Sequence, residues 1–189
     1  MKSLKTRVLL VALMLGTLMS FANPSELDAK KIKIEFTDVK KGHELTIKNN
    51  EGNILYTEEV ERKGDLVKIF DFSKLENGSY TLELEKDFEI IIKSIKINND
   101  TINFDETSKK KIFKPVVRTQ KNRLMVSKVS FDNKPVKVTL LFNDEVIYSE
   151  KIAAQKVFKR IYRLDESQKG YYKIIIKNNG RTFVNPFEI

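Results

Sequence analysis

Two stretches 92 residues apart share one outline: "FDFSKLENGSYTLELEK" at 70–86 and "YRLDESQKGYYKIIIKN" at 162–178. The same offset puts Ile54-Leu55-Tyr56-Thr57-Glu58 on Val146-Ile147-Tyr148-Ser149-Glu150, and Ser94-Ile95-Lys96-Ile97 on Pro186-Phe187-Glu188-Ile189. Ahead of the "NNEGN" turn (49–53) it becomes 93, because the later stretch has the shorter turn "NDE" (143–145); Leu45 and Ile47 then fall on Val138 and Leu140. A constant offset over more than forty residues marks a duplicated unit, not a biased composition. The chain is therefore expected to build one domain twice, over about 30–97 and 112–189.

Within each copy apolar residues recur at every second position, the pattern of a half-buried strand. Tyr80, Leu82 and Leu84 share a face, as do Tyr172, Ile174 and Ile176. Leu66, Phe70 and Phe72 match Phe158, Tyr162 and Leu164, with Lys68 and Arg160 interrupting both runs at the same place. A basic residue on an inward face fits a sheet edge, where its stem packs and its head stays wet. Turns at "KKGHE", "NNEGN", "ERKGD" and "LENGS" cut the first copy into short strands, and no helical periodicity follows the leader. The expected fold is all-β: two tandem, small, Ig-like antiparallel β-sandwiches.

Residues 1–22 read as a cleaved signal peptide: Lys2, Lys5 and Arg7, then an apolar run from Val8 to Ala22 that is short for a spanning helix. Segment 23–29 precedes the first sandwich, and 98–111 is expected as a polar, basic linker. No cysteine follows the leader, which excludes a lipid anchor there, disulfides, thiol catalysis and cysteine-ligated metal. An exported chain of this kind must be held by its cores alone.

The stretches "LTIKNNEGNILYTEEV", "FDFSKLENGSYTLELE" and "KSIKI" resemble the C-terminal sorting domains of type IX secretion in Bacteroidetes, and the related Ig-like domains of secreted proteins in that group. The matching positions are Asn50, Gly52, Asp71, Ser73, Leu75, Gly78 and Tyr80. The resemblance covers about 55 residues of the first copy and thins in the second to Gly170, Tyr172 and the alternation. It implies an exported protein located in the periplasm, at the cell surface or outside the cell. A sorting domain ends its chain, whereas here the better copy is internal and the last copy lacks the D-x-S-x-L stretch. Secretion by that machinery is therefore the alternative to a binding role. In the same group Asp100-Thr101-Ile102 resembles a site for O-linked glycans, which makes Thr101 an expected acceptor. The motif also has a plain structural reading. Asp71 and Ser73 bond turn amides, Gly78 gives the turn its freedom, and Tyr80 packs inward with its hydroxyl at the rim.

Catalysis is not expected. The single histidine, His43, lies in the basic turn "KKGHEL", where a solvated residue is the ordinary outcome. The acids of "TEEVE" and "LELEKDFE" alternate with apolar residues and read as the solvated face of strands. Asn98-Asn99-Asp100 and Asp105-Glu106 lack the order of a calcium loop, and no glycine cluster cradles phosphate. No cofactor or metal is expected. With no tryptophan, a sugar site would lean on Tyr171, which points opposite to Tyr172.

Charge is uneven. Residues 30–97 hold 13 basic and 14 acidic side chains, residues 98–189 hold 19 and 10. From Thr107 to Phe131 there are eight cations and no acid: Lys109, Lys110, Lys111, Lys114, Arg118, Lys121, Arg123 and Lys128. The run reads either as a solvated linker and strand edge, its lysines guarding the edge from aggregation, or, through its first seven cations, as the contact to an anionic envelope surface, lipopolysaccharide or acidic glycan, or to another envelope protein. Aromatic interleaving is sparse, so nucleic acid is not an expected partner. The core pattern is kept between copies while the solvent face changes sign, from Ser79, Thr81, Glu83 and Glu85 to Tyr171, Lys173, Ile175 and Lys177.

Overall fold

The computed structural model describes residues 31–99, 101–104 and 109–189. The expected leader (1–22), the segment 23–29, Asp100, Asp105 and Glu106 lie outside the described residues. Among the described residues every regular element is a strand, and the sheets are antiparallel. The chain divides into two compact units, one ending at Lys86 and resuming over Ile90–Lys111, the other comprising Asp87–Glu89 and Ile112–Ile189.

The first unit contains β1 (Lys31–Val39), β2 (Glu44–Lys48), β3 (Ile54–Glu59), β4 (Gly64–Asp71), β5 (Gly78–Glu85), β6 (Glu89–Asn98) and β7 (Thr101–Phe104), with β8 (Lys110–Phe113) beginning in it. One sheet pairs β1 with β4; the other runs β3-β2-β5-β6-β7, with β8 also on β6. Inward residues of both sheets meet in one core: Ile34 and Phe36 from β1 against Leu45, Ile47, Leu82, Leu84 and Ile95, with Leu66 and Phe70 of β4 packed on it. That is a sandwich.

The second unit contains β9 (Val116–Gln120), β10 (Arg123–Val129), β11 (Val136–Phe142), β12 (Glu145–Ile152), β13 (Val157–Arg163), β14 (Tyr171–Asn178) and β15 (Arg181–Glu188). Its sheets run β13-β10-β9 and β12-β11-β14-β15. Leu124, Val126 and Phe158 face Val138, Leu140, Tyr172, Ile174 and Ile176 across a second buried cluster. In both units the alternation decides which face is buried, since a pleated strand sends successive side chains to opposite sides.

The turns follow from side-chain chemistry. Asp71 Oδ1 accepts the Ser73 amide at 2.8 Å; the Ser73 side chain first, and this amide after it, hold the carboxyl below its usual range, and the Leu75 amide donates to the Phe72 carbonyl at 3.0 Å. In the second unit Asp165 Oδ1 accepts the Ser167 amide at 2.9 Å and the Ser167 hydroxyl at 2.7 Å. The same kind of turn thus forms two residues further along.

Four expectations are corrected. Segment 98–111 is not a bare linker: it carries β7 and the start of β8, both paired to β6. Phe104 of β7 lies 5.5 Å from Lys93 Nζ, which is 5.0 Å from the Phe36 ring and donates to the Glu35 carbonyl at 2.8 Å. The strand therefore covers a buried cation. His43 is buried, not solvated, at 4% exposure, because its Nδ1 accepts the Lys40 amide at 3.1 Å and its carbonyl accepts the Val60 amide at 2.7 Å. Gly78 does not take a positive φ, whereas its counterpart Gly170 does (φ 148°), and an added Cβ there would lie 3.1 Å from Phe142. Glu58 of "TEEVE" does not belong to the solvated face: it is half-buried and engaged by Tyr56 and Lys68.

Candidate functional site

The cations singled out by sequence are divided between the two units. Lys109, Lys110 and Lys111 are exposed and belong to the first. Lys114, Arg118, Lys121, Arg123 and Lys128 belong to the second. Lys114 is half-buried ahead of β9, and Lys128 points inward with 3% exposure, so neither presents its charge as the others do. Burial pushes the Lys128 ammonium below its usual pKa, against the opposing pull of Asp132; its Nζ reaches the Val129 carbonyl and Ser130 Oγ, each at 3.3 Å.

Arg118 and Arg123 are brought together by the β9–β10 hairpin. Lys121 takes a left-handed conformation (φ 52°) at its tip, and Asn122 pins the tip to the end of β13: its carbonyl accepts the Leu164 amide at 2.7 Å. Register then sets the outward rows of the three-stranded sheet. Arg123 lies opposite Gln120 and Arg163, Met125 opposite Arg118 and Ile161, and Ser127 opposite Val116 and Lys159. Four cations, Arg118, Arg123, Lys159 and Arg163, thus surround Met125 and Ile161 on one face, and Ile161 is 67% exposed. No carboxylate stands in these rows. Lys159 and Arg163 fall outside the acid-free run, which Asp132 ends, although their own stretch 151–164 holds no acid either. The signal was present: placing Phe158, Tyr162 and Leu164 inward sends residues 159, 161 and 163 outward.

At the side of this face an open cleft of about 430 Å³ is lined by Ile147, Tyr148, Ile161, Tyr162 and Arg163, with Leu140 and Tyr172 among the deeper residues. The Tyr148 and Tyr162 rings stand 5.7 Å apart. Tyr162 donates to Glu150 Oε1 at 2.6 Å, and Arg160 Nε approaches Glu150 at 3.5 Å. Burial first, and the Glu150 carboxylate second, push the Tyr162 phenol far above its usual pKa, so it stays a donor. Tyr171 is exposed as expected, with Lys173 Nζ 5.7 Å from its ring centre. Thr101 is exposed at the start of β7.

Among solved structures the chain is similar to the BSP domain of a biofilm-associated protein, at 16% identity and a TM-score of 0.29, covering 83% of this chain and 27% of that one. It is also similar to native α2-macroglobulin from Escherichia coli over domains MG0-NIE-MG1, at 10% identity and a TM-score of 0.29, covering 86% and 59%. The chain spans about a quarter of the first and under two thirds of the second. No curated protein matches it. Among the described residues no helix is long and apolar enough to cross a membrane. Residues 21–98 match the family model of the secretion system C-terminal sorting domain, which implies a secreted, cell-surface or extracellular protein. The likeness to the secretion system C-terminal sorting domain family thus covers residues 21–98 and none of Ile112–Ile189.

Proposed function

We propose that the chain is an exported, non-catalytic protein made from a duplicated β-sandwich, and that its second unit binds an anionic envelope surface, lipopolysaccharide or acidic glycan. The observation that carries this reading is the outward face of β9, β10 and β13, with Arg118, Arg123, Lys159 and Arg163 around exposed Ile161 and no acid in its rows. Guanidinium forks match phosphate and carboxylate groups two bonds at a time, and an apolar centre lowers the local dielectric around them. Such contacts weaken with salt, because exposed charges are screened.

Co-sedimentation of the full chain with vesicles of phosphatidylglycerol, phosphatidylcholine or added lipopolysaccharide tests it. The chain should bind the anionic vesicles and lose them at high salt. Arg118→Glu with Arg163→Glu should weaken binding by about tenfold or more. Lys109→Glu with Lys110→Glu makes the same change of net charge in the first unit, and should cost much less. Equal losses would show that net charge, not this face, binds.

The match at residues 21–98 favours a second reading, in which the first unit serves type IX secretion and the chain is processed near its C-terminus. Intact mass with cell fractionation separates the two. A species from Asn23 to Ile189 in the periplasm supports the first; loss of roughly one unit from the C-terminus, with surface display, supports the second.

A further inference from the structure

The cleft lined by β12 and β13 has a counterpart, position by position, in the first unit at the offset of 92. Tyr148 stands where the first unit has Tyr56, and Tyr162 where it has Phe70. That ring pair is kept, at 5.4 Å in the first unit and 5.7 Å in the second. The polar positions are not kept. Arg163 and Gln168, both exposed and both lining the cleft, stand where the first unit has Asp71 and Glu76. The turn between them differs as well. Leu75 packs on the first core, two residues after the Ser73 whose amide donates to Asp71. In the second unit the offset puts Ser167 at that place, and the Asp165–Ser167 turn puts Lys169 there; both are exposed. The second unit thus lacks an apolar plug at the turn whose Leu164, Asp165 and Gln168 line the cleft.

An open volume of about 430 Å³ is of the size that takes a small ligand or one unit of a longer one. Its walls combine ring faces with polar groups. Tyr148 is 46% exposed. Among the described residues nothing hydrogen-bonds to its hydroxyl, to the Gln168 side-chain amide or to the Arg163 guanidinium. Asp165 gives one carboxylate oxygen to Ser167 and keeps the other. A peptide fits this seam poorly, because it would dock by adding a strand to an edge. β12 bulges at Ile147, which has no residue opposite it, and β13 turns Arg160 inward to Glu150; both features blunt an edge. A sugar needs no edge. Its apolar ring face lies on an aromatic ring, its hydroxyls bond amides and carboxylates, and a carboxylate on it matches a guanidinium fork. We propose that the cleft binds one carboxylate-bearing sugar residue of an acidic glycan. The sugar ring lies against Tyr148, its carboxylate on Arg163, and its hydroxyls on Asp165 and Gln168. This site rests on the reading of the β9, β10 and β13 face as anion-binding: Arg163 belongs to both, and Arg118, Arg123 and Lys159 meet the acidic sugars that follow along the glycan.

Titration of the full chain with trigalacturonate, followed by amide NMR, tests the site. In low salt the Tyr148, Ile161, Arg163 and Gln168 amides should shift and saturate. Maltotriose, of similar size but without carboxylates, should bind about tenfold more weakly or worse. Tyr148→Ala should weaken trigalacturonate binding by about tenfold with an unchanged circular dichroism spectrum, because it removes the ring face and no core residue. Arg163→Gln should abolish the preference over maltotriose. Tyr148 stands outside the cationic rows, so Tyr148→Ala should still co-sediment with phosphatidylglycerol vesicles as wild type does. Trigalacturonate that shifts only Arg118, Arg123 and Lys159, with no loss in Tyr148→Ala, overturns the cleft and leaves the cationic face standing. A wild type that ignores anionic vesicles but binds trigalacturonate through Tyr148 supports the cleft and overturns only the lipid arm of that reading. An extended acidic peptide that binds through Tyr148 more tightly than trigalacturonate overturns the sugar in favour of a protein partner.

Discussion

Lys128 and Phe36 hold the same register position in their units, each opposite the strand residue that plugs the core: Lys128 faces Phe158, and Phe36 faces Leu66. One is an aromatic core residue and the other a buried ammonium, which no alternation pattern separates, since both satisfy period two. The consequence can be measured. Burial lowers the pKa of Lys128 in the folded state below its usual 10.5, so the folded state disfavours the charged form. The cost is fully present below the folded pKa, shrinks as pH rises through it, and is gone above the unfolded value. Lys128→Met should therefore stabilise the second unit at neutral pH by about 1 kcal/mol, and the advantage over wild type should fade as pH approaches 10.5. Thermal melts at a series of pH values check both the sign and the trend. An unchanged gap across that window would place the ammonium in water.

At the scale of elements, the two units close their sheet edges by the same chemistry with different residues. In the first, Lys68 of β4 pairs with Glu58 of β3 at 2.7 Å, and the Tyr56 hydroxyl donates to the same carboxylate. Burial alone would raise the Glu58 pKa, but the hydrogen bonds from Lys68 and Tyr56 hold it below its usual range. In the second, Glu150 of β12 takes Arg160 and Tyr162 instead. Lys68 and Arg160 were readable as edge residues because each breaks an apolar run; their partners were not, because Glu58 and Glu150 look like any outward acid. The inward sets Tyr80, Leu82, Leu84 and Tyr172, Ile174, Ile176 were legible for the opposite reason, as period two alone decides them. β7 was not legible: "TINF" is four residues long, polar at two of them, and its role depends on the buried Lys93. Phe104→Ala should lower the stability of the first unit by about 2 kcal/mol, less than a fully buried ring would cost. Phe104→Leu, which keeps the bulk and loses the ring face toward Lys93, should cost about 0.5–1 kcal/mol. Equal losses from the two variants would mean that the ring face contributes nothing.

At the scale of the molecule, the question is whether two buried clusters mean two cooperative transitions. The first draws on β1 to β7 and the second on β9 to β15, with no residue shared between them. Tyr80 and Tyr172 occupy corresponding places: each is buried, and each hydroxyl donates at 2.8 Å to a carbonyl four residues upstream, that of Glu76 or Gln168. That bond ties the loop before the strand to the core, as a tyrosine corner does. Truncating a buried aromatic to alanine costs about 3–5 kcal/mol, a large share of what holds a domain of this size. Removing the hydroxyl alone costs about 1 kcal/mol, the net worth of one hydrogen bond. Distant sites with no shared partner contribute additively, so Tyr80→Ala should lower one calorimetric transition of the full chain and Tyr172→Ala the other. Tyr80→Phe and Tyr172→Phe should shift the same two transitions by a smaller step. The double alanine variant should show both shifts at their single-variant size. If either alanine variant moved both transitions together, or the full chain melted in one two-state step, the two clusters would be one cooperative unit despite their separate contacts.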